Sequence, residues 1–524
     1  MTSNARLPEP LELPLAQSTE VATLASEAGQ WAVTRGLVKD VPGTGVTHAP
    51  LALYPSPFPK AAFEHVWALQ PLMNRLLSAS ASDSELLHKV LRPVAKRDPF
   101  VASQLAILEA VGGVPGGRSG VVAGIWRTDY LLHQPQQDNP LRILQVEQNA
   151  ISVAYAALSS IACSLHEYQL KRGAVQPALE FDSPPNAALK ELVALLTLAH
   201  SEYVARQAPA ATPVVVMVVQ AGELNQYDQR WIQYLLFESA GINMVRATHD
   251  SLMADLEHDD EAGTVQLNGA PVSVFYFRAG YTPDDYPSQA HWDIRATIEA
   301  STSVKIPDIA HQLAGTKAMQ RALADPEVLT RYVSPSEAAA ASSVFAGLYD
   351  LPADSGRATE VLAQAAAAPD DYVLKPQREG GGNNLYRAAL AKAIATKSRD
   401  ELEAYILMER IVPPLARNLV LRGGVVKEIQ GVSELGIFGL FFKDVASGTE
   451  IDNKAGGYLL RTKPADVDEG GVSAGVAYLD SVALVDLPFD SSPTMTIPGA
   501  VRKASDAIEP DADTDTRPAK RAKA

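Results

Sequence analysis

The chain has 524 residues, of which 47% are hydrophobic and 20% are charged, and its formal net charge is −16. This length predicts about three domains and a large buried core. The acidic balance argues against nucleic acid or an anionic membrane as a partner. The one cysteine, Cys163, excludes an intramolecular disulfide, and with an N-terminus that lacks a basic-then-apolar signal pattern it favours the cytoplasm.

The first third of the chain predicts helices and one β-hairpin. Helical patterns cover 18–34, 63–77 and 83–91, and the proline-rich residues 49–60 predict an extended connection between the first two. Two β-prone runs, at 130–134 and 141–147, flank a breaker-rich hexapeptide and predict an antiparallel hairpin. A long helix is expected after Ser152, to about Lys171.

The end of this hairpin carries two oxygen ligands. Glu147 and Asn149 are two residues apart on an extended segment, so their side chains point to the same side. This spacing favours a shared polar site at a strand end. The alternative is a solvated glutamate beside an asparagine that flanks a helix.

The middle of the chain predicts a parallel sheet. Residues 213–220 form a continuous apolar strand, 227–239 a helix, and 242–247 and 272–277 further strands. In such sheets, polar groups beyond the strand exits line ligand crevices. Five polar side chains fall at these exits and predict a pocket, although ordinary loop polarity would explain each one singly: Glu223, Asn225, Gln229, Arg278 and Tyr281.

The stretch from Val373 to Tyr386 concentrates nucleotide-handling chemistry. A strand-like entry delivers Lys375, Glu379 follows four residues later, and Gly380–Gly382 then breaks regular structure. Glycine backbone can approach a phosphate closely, and successive N–H groups can surround an anion. Lys375 adds positive charge, and Glu379 offers oxygens suited to Mg²⁺. The alternative is a flexible surface loop.

The C-terminal third predicts a second loop of this kind. A helix is expected from Ile306 with 314–317 inside it, another at 359–368, and strands at 405–411 and 431–443. Residues 460–475 then combine Arg461 and Lys463 with several glycines. Two glycine-rich loops, each with a lysine, suggest a clamp that closes over phosphates and excludes water. After Asp480 the pattern decays, and 483–524 is predicted to be disordered.

These residues together resemble a known family, eukaryotic glutathione synthetase, a permuted member of the ATP-grasp superfamily. The resemblance covers about residue 20 to Asp480 and rests on five motifs: Phe277–Tyr281, Ile306–Lys317, Leu374–Tyr386, Ser433–Gly439 and Leu459–Lys463. It implies a mixed α/β chain, with a permuted ATP-grasp fold and an inserted Rossmann-like parallel-sheet substrate domain. The implied division is a helical and ATP-grasp part at 1–212, the Rossmann-like domain at 213–316, an ATP-grasp domain with two lid loops at 317–482, and a tail at 483–524.

The resemblance implies an ATP-dependent ligase that joins γ-glutamylcysteine to glycine through an acylphosphate, the second step of glutathione biosynthesis. It also implies two Mg²⁺ ions per active site, partly held by ATP, and a homodimer. A sister ligase that uses another acceptor, such as β-alanine, and an inactive nucleotide-binding scaffold are the alternatives. The scaffold is disfavoured because Glu147, Asn149, Lys375 and Glu379 are all present.

Residue roles follow from the same resemblance. The implied metal ligands are Glu147, Asn149 and Glu379, and the implied catalytic residues are Arg127, Lys375, Glu379 and Arg461. The implied ATP site comprises Glu147, Lys317, Lys375, Pro376, Gln377, Arg378, Glu379, Gly380, Gly381, Gly382, Asn383, Asn384, Tyr386, Met408, Glu409, Arg410, Ile411, Glu434, Lys463 and Glu469. The implied substrate site comprises Arg127, Ile151, Ser152, Val153, Ala154, Glu223, Leu224, Asn225, Gln229, Arg278, Ala279, Gly280, Tyr281, Arg461, Val472 and Ser473.

Four positions depart from the familiar animal pattern. Ala154 stands in place of a second serine, and Ala279 in place of an acidic residue. Glu469 replaces an aspartate, and Ser473 replaces an alanine near the glycine end of the product. The Ser473 hydroxyl leaves the choice of acceptor amine open.

Overall fold

The chain folds as a mixed α/β protein in which helices and strands alternate. The computed structural model describes residues 5–9, 13, 17–43, 45–376, 383–468, 470–472 and 475–492. The α-helices of this described part are α1 (Thr19–Thr34), α2 (Lys60–Ser82), α3 (Ser84–Ala95), α4 (Pro99–Ala110), α5 (Ala156–Lys171), α6 (Ala188–Gln207), α7 (Gln226–Ala240), α8 (His249–Asp255), α9 (Gln289–Ala300), α10 (Ile309–Ala314), α11 (Lys317–Leu323), α12 (Pro326–Leu329), α13 (Pro335–Ser342), α14 (Gly356–Ala367), α15 (Arg387–Thr396) and α16 (Arg399–Leu402). The strands are β1 (Val38–Val41), β2 (Gly45–His48), β3 (Leu51–Ala52), β4 (Ser56–Pro59), β5 (Val121–His133), β6 (Arg142–Asn149), β7 (Val214–Val218), β8 (Met244–Ala247), β9 (Leu256–Asp259), β10 (Thr264–Leu267), β11 (Ala270–Phe277), β12 (Val304–Ile306), β13 (Leu348–Asp350), β14 (Tyr372–Pro376), β15 (Leu385–Tyr386), β16 (Tyr405–Glu409), β17 (Ala416–Arg422), β18 (Val425–Asp444), β19 (Glu450–Pro464), β20 (Tyr478–Asp480) and β21 (Val482–Val485).

A seven-stranded sheet forms the centre of the fold, in the order β17-β3-β20-β19-β18-β5-β6. Its neighbours are antiparallel except for β20 and β3, which are parallel. Side chains alternate between the two faces of a strand, so each strand serves two packing layers. One face packs against α5 and α6, and the other packs against α2. The sheet therefore joins strands from both ends of the sequence.

The predicted parallel unit is confirmed. Strands β8, β7 and β11 lie side by side in parallel, and β12 pairs with β11, also in parallel. The core of β7, from Val215 to Val218, is fully buried, as a continuous apolar strand covered on both faces requires. β9 and β10 extend this sheet with antiparallel partners. The predicted hairpin is confirmed as β5 and β6, although both strands are longer than expected.

A third sheet, of four strands in the order β13-β16-β14-β15, carries two segments of the implied ATP site. β14 delivers Lys375, and the neighbouring β16 runs to Glu409. Leu144 of β6 packs in one cluster with Val373 and Met408, so this sheet abuts the edge strand of the central sheet. Lys375 lies at this junction, because its Nζ donates to the carbonyl of Val146 on β6.

Two expectations are wrong in detail. The segment from Ile306 is not one helix: α10 ends at Ala314, with Gly315 as its C-cap, and Lys317 begins α11. The chain also does not lose its structure at residue 483, because β21 pairs in parallel with β4 and is buried at every position. The four-residue strand escaped notice because its partner lies more than four hundred residues away in sequence. No helix of the described residues is long and apolar enough to cross a membrane.

Candidate active site

Strand register gathers charged side chains onto one face of the central sheet. Opposed residues of antiparallel neighbours share a face. Arg127 is opposite Asn149 and Asp129 is opposite Glu147, while Glu434 is opposite both Leu131 and Arg461. This shared face is the floor of a cavity of about 260 Å³.

The walls of this cavity come from five other parts of the chain. The segment after β6 contributes Ile151, Ser152, Val153, Ala154 and Tyr155. The parallel unit, α11 and the segments that begin at Lys375 and at Lys463 complete the wall with Tyr281, Lys317, Lys375, Asn384, Tyr386, Lys463, Asp468 and Gly470. The structure thus assembles, around one space, residues that the sequence spreads from 127 to 470.

Arg127 is held side-on by a carboxylate that the sequence reading overlooked. Asp129 is fully buried, and it accepts hydrogen bonds from Nε of Arg127 at 2.6 Å and from Nη2 at 2.8 Å. Burial alone would lower the pKa of Arg127, but the adjacent Asp129 outweighs burial and raises it above the ordinary value. Arg461 also contacts Asp129, at 3.2 Å, and pairs with Glu434. The spacing of Arg127 and Asp129, two residues apart on a strand, is the signal that could have found this carboxylate.

Lysines surround Glu147. Nζ of Lys317 lies 3.6 Å from Oε2 of Glu147, and Nζ of Lys375 donates to the carbonyl of Val146 at 3.2 Å. Burial would raise the pKa of Glu147, but Lys317, Lys375 and the nearby arginines hold it below its ordinary value. Glu147 is therefore an anion under neutral conditions, as a metal ligand must be.

A second cavity, of about 240 Å³, opens from the first. The two share the side chains of Leu131, Val146, Lys375, Tyr386, Lys463 and Asp468. Its inner wall is apolar and includes Val373 and Met408, followed by Glu409, Arg410 and Ile411 along the edge of β16. An apolar slot suits a flat heterocyclic base, and the lysines at the junction suit the phosphates attached to it.

Two of the three predicted metal ligands lie together at the end of β6. Nδ2 of Asn149 donates to Asp129 at 2.9 Å, which turns the amide oxygen away from that carboxylate. Within the described residues there is no group of three or more His, Cys, Asp or Glu side chains that could hold a metal ion. A site built on Glu147 and Asn149 would need ligands from elsewhere.

Several predicted residues lie outside the described residues, so their placement is not assigned. They are Gln377, Arg378, Glu379, Gly380, Gly381, Gly382, Glu469 and Ser473.

The predicted substrate residues of the parallel unit do not all meet at the cavity. Tyr281 lines it, whereas Glu223 and Leu224 line a wide surface depression beside β7 and β8. Arg278 is buried against Asp228 at 3.2 Å, and Gln229 accepts from Arg246. The remaining predicted residues outside both cavities are Pro376, Asn383, Asn225, Ala279, Gly280 and Val472.

Asp228 is a second carboxylate that the sequence reading overlooked. It accepts from the backbone N–H groups of Tyr155, Ala157 and Leu158 at 2.9 to 3.3 Å, and from Arg278. It therefore ties the start of α5, next to the cavity wall, to the exit of β11. No sequence pattern signals this role, because Asp228 sits in the first turn of α7 like many helix-capping residues.

A cation-rich cavity joined to an apolar slot defines the class of nucleotide-dependent enzymes that act on anionic substrates. Comparison of the chain with known protein families identifies the family within this class. The family model described as "Eukaryotic glutathione synthase, ATP binding domain" matches residues 18–484, and the chain belongs to this family. The chain is 35% identical to the chloroplastic glutathione synthetase of Solanum lycopersicum, over 89% of this chain and 84% of that one. It is 35% identical to the glutathione synthetase of Dictyostelium discoideum, over 88% and 98% of the two chains, and 36% identical to that of Homo sapiens, over 83% and 90%.

The fold is also that of a solved relative. A glutathione synthetase-like effector from Globodera pallida, in its apo form, superposes with a TM-score of 0.71, over 89% of this chain and 97% of the effector chain. At 21% identity, this likeness concerns the fold.

Proposed function

We propose that this chain is a glutathione synthetase, an ATP-dependent ligase that joins γ-glutamylcysteine to glycine and releases ADP and phosphate. Family membership supports the activity. The single observation that carries it at residue level is that the two cavities share lining residues, with Lys375 among them, while Arg127 lines the first cavity alone. A triphosphate and a carboxylate can therefore meet in one continuous space.

The chemistry requires positive charge, because transfer of a phosphoryl group from ATP to a carboxylate brings two anions together. Lys317, Lys375 and Lys463 bind the phosphates, and Arg127 and Arg461 hold carboxylates of the dipeptide through planar guanidinium forks. The cysteinyl carboxylate takes the γ-phosphoryl group of ATP and becomes an acylphosphate as ADP leaves. The glycine amine then attacks its carbonyl carbon, the amide forms, phosphate leaves, and the proton of the amine passes to phosphate or water.

The enzyme itself supplies no nucleophile in this proposal. Both reacting groups belong to substrates, so the protein acts by holding them in contact and by stabilising charge. This fits a cavity whose ionisable lining consists of lysines, arginines, carboxylates and tyrosines.

Glu147 and Asn149 fit Mg²⁺ as hard oxygen ligands, with Glu379 proposed as the third and two ions per site. Magnesium characteristically takes one or two carboxylates and completes its shell with phosphates and water, so an incomplete protein shell is consistent with it. Such ions, when bound, neutralise phosphate charge. Glu147, held as an anion by Lys317 and Lys375, retains the charge state that this role needs.

The chain is further proposed to be a homodimer in the cytoplasm. Two pairs of neighbouring apolar side chains stand in solvent. Val33 of α1 and Val46 of β2, two elements that contact each other, are 48% and 47% exposed, and Tyr234 and Phe237, three residues apart on α7, are 53% and 55% exposed. Exposed apolar side chains that lie together are typical of an interface. Light scattering of the wild type against a Tyr234→Glu, Phe237→Glu variant tests this, since a wild-type monomer would contradict it. Imaging of the tagged chain tests the compartment, because two of the relatives are chloroplastic.

The deciding experiment for the activity measures phosphate release and product mass with ATP, Mg²⁺, γ-glutamylcysteine and glycine. Glutathione formed in equal amount to phosphate is expected. Phosphate release that does not depend on the dipeptide, or the absence of any peptide product, would reject the proposal. A parallel arm replaces glycine with β-alanine. A higher kcat/KM in that arm would favour the sister ligase, a candidate kept open by Ser473 at the predicted glycine end.

A further inference from the structure

The carboxylate of Asp129 lies beneath the cavity and touches three of the side chains that matter there. Its Oδ1 accepts from Nε of Arg127, and its Oδ2 accepts from Nη2 of Arg127, from Nη2 of Arg461 and from Nδ2 of Asn149. We propose that Asp129 is the positioning residue that aims both arginines at the carboxylates of the dipeptide. This inference rests on the proposed function.

The side-on geometry determines which part of Arg127 meets the substrate. Asp129 occupies the edge formed by Nε and Nη2, at 2.6 and 2.8 Å. Nη1 is thereby turned toward the cavity wall, where it lies 3.4 Å from the carbonyl oxygen of Ala154. A guanidinium held along one edge keeps its other edge for a second bidentate partner. A planar carboxylate of the substrate is the partner that this edge suits.

The neighbouring strand leaves space for this arrangement. Gly436 lies opposite Asp129 on β18, and a Cβ at that position would come within 2.5 Å of Oδ1 of Asp129 and 2.6 Å of Cδ of Arg127. These are distances that real Cβ atoms do not show, and both side chains are buried. Glycine at 436 therefore makes room for the pair, and any larger residue would displace it.

Charge explains why the arginines need a common anion. Arg127 and Arg461 both contact one carboxylate in a buried site, where two like charges repel strongly. Without Asp129, Arg461 would keep its pairing with Glu434, and Arg127 would keep its contact with the Ala154 carbonyl. Removal of the Asp129 charge leaves the two arginines without the anion that orients them, so recognition of the dipeptide should weaken. The lysines that bind ATP phosphates stay in place.

The test compares Asp129→Asn with a matched variant. Glu299→Gln removes a carboxylate from another buried arginine pair, with Arg295 in α9, whose side chains are 0% and 4% exposed. Because removal of one partner from a buried charge pair costs several kcal/mol, Asp129→Asn should lower kcat/KM for γ-glutamylcysteine roughly 30-fold or more. The KM for ATP should stay within about threefold of the wild type, since the lysines are untouched. Glu299→Gln should leave both KM values unchanged, whatever it does to the melting temperature.

Two further variants keep the inference testable if Asp129→Asn does not fold. Gly436→Ala retains the carboxylate and displaces it, so it should raise the KM for the dipeptide and not that for ATP. In the pair Arg127→Gln and Asp129→Asn, the loss of kcat/KM in the double variant should be smaller than the sum of the two single losses, because part of the effect of Asp129 is exerted through Arg127.

The results separate this inference from the proposed function. A wild type that makes no glutathione rejects the function. An active wild type with an unchanged dipeptide KM in Asp129→Asn or in Gly436→Ala rejects the positioning role. Equal losses for dipeptide and ATP, or additive losses in the double variant, also reject it. Calorimetry on the same variants measures the affinity for γ-glutamylcysteine without turnover. Equal affinity in the wild type and Asp129→Asn would overturn the positioning role.

Discussion

Asp480 offers a test of how the fold holds a buried carboxylate. It is 1% exposed, and its oxygens accept from Ser56 Oγ at 2.6 Å and from Thr462 Oγ1 at 2.5 Å, as well as from the backbone N–H groups of Ser56 and Ser481. Burial raises the pKa of Asp480 to about 7, although these hydrogen bonds act in the opposite direction. The perturbation is Asp480→Asn, which keeps the shape of the side chain and removes its charge.

The sign follows from proton binding. The folded-state pKa of about 7 lies above the ordinary value of 3.8, so between these pH values the folded protein binds more protons than the unfolded chain. The contribution of Asp480 to the free energy of unfolding is therefore greatest below pH 4, falls as the pH rises through 7, and is constant above it. A pKa difference of about three corresponds to about 4 kcal/mol, of which about half falls between pH 5.5 and pH 8.

The asparagine has no such dependence, and it can keep the contacts. Its oxygen can accept from the two backbone N–H groups, and its amide can donate to the hydroxyls of Ser56 and Thr462, which turn round. An unfolding entropy of about 2.1 cal/mol/K per residue gives about 1 kcal/mol per degree for a chain of this size. The melting temperature of Asp480→Asn should therefore gain about 2 °C on the wild type between pH 5.5 and pH 8.

Thermal melts of the two proteins at half-unit steps of pH make this measurement, and the difference between them cancels the titration of other groups. Asp444→Asn is the control. Hydrogen bonds from Ser447 and Arg206 hold the pKa of Asp444 far below its ordinary value, and neither partner titrates between pH 5.5 and pH 8, so its removal should cost the same stability at every pH in the window. Parallel curves for wild type and Asp480→Asn would refute the reasoning.

Three other outcomes follow from the site and its boundaries. Lys375→Ala should lower kcat at least roughly 100-fold, because it removes a phosphate-binding charge, and near-normal phosphate release would contradict this role. Arg387, at the start of α15, pairs with Asp468, and both residues line the second cavity. Arg387→Ala should therefore speed the release of a fluorescent ADP analogue in stopped flow, with Arg399→Ala as the control. Equal release rates would argue against a contribution of Arg387 to nucleotide retention. Truncation after Asp480 removes the buried β21 and should abolish soluble expression, whereas truncation after Ser492 should leave activity unchanged. Soluble, active protein from the shorter chain would show that β21 is dispensable.

The sequence alone predicted well where a regular pattern carries the information. The apolar run at Val214–Val218 indicated a doubly covered strand, and the hairpin ahead of Glu147 followed from breaker residues between β-prone runs. Spacing within a strand was enough to put Glu147 and Asn149 on one side. The family resemblance also brought Lys317, Lys375 and Lys463 together, and the structure places all three at one cavity.

Long-range pairing was beyond the sequence. The sequence predicts disorder for β21 because four apolar residues are too few to show a periodic pattern. Their parallel contact with β4 is what stabilises them as a strand. Asp228 was overlooked because its carboxylate serves backbone N–H groups of another helix about seventy residues earlier. Neither contact has a local signature.

The amino-acid sequence is enough to predict which chemical groups the candidate site contains: the lysines, the arginines and the oxygen ligands, in strands and loops of recognisable type. How these groups act on one another depends on the folded chain. Asp129 becomes the common anion of Arg127 and Arg461 because strand register places β5 beside β18 and β18 beside β19, and because Gly436 leaves room for it. Register depends on the packing of whole sheets, and a shift of one residue would turn the same side chains to the opposite face.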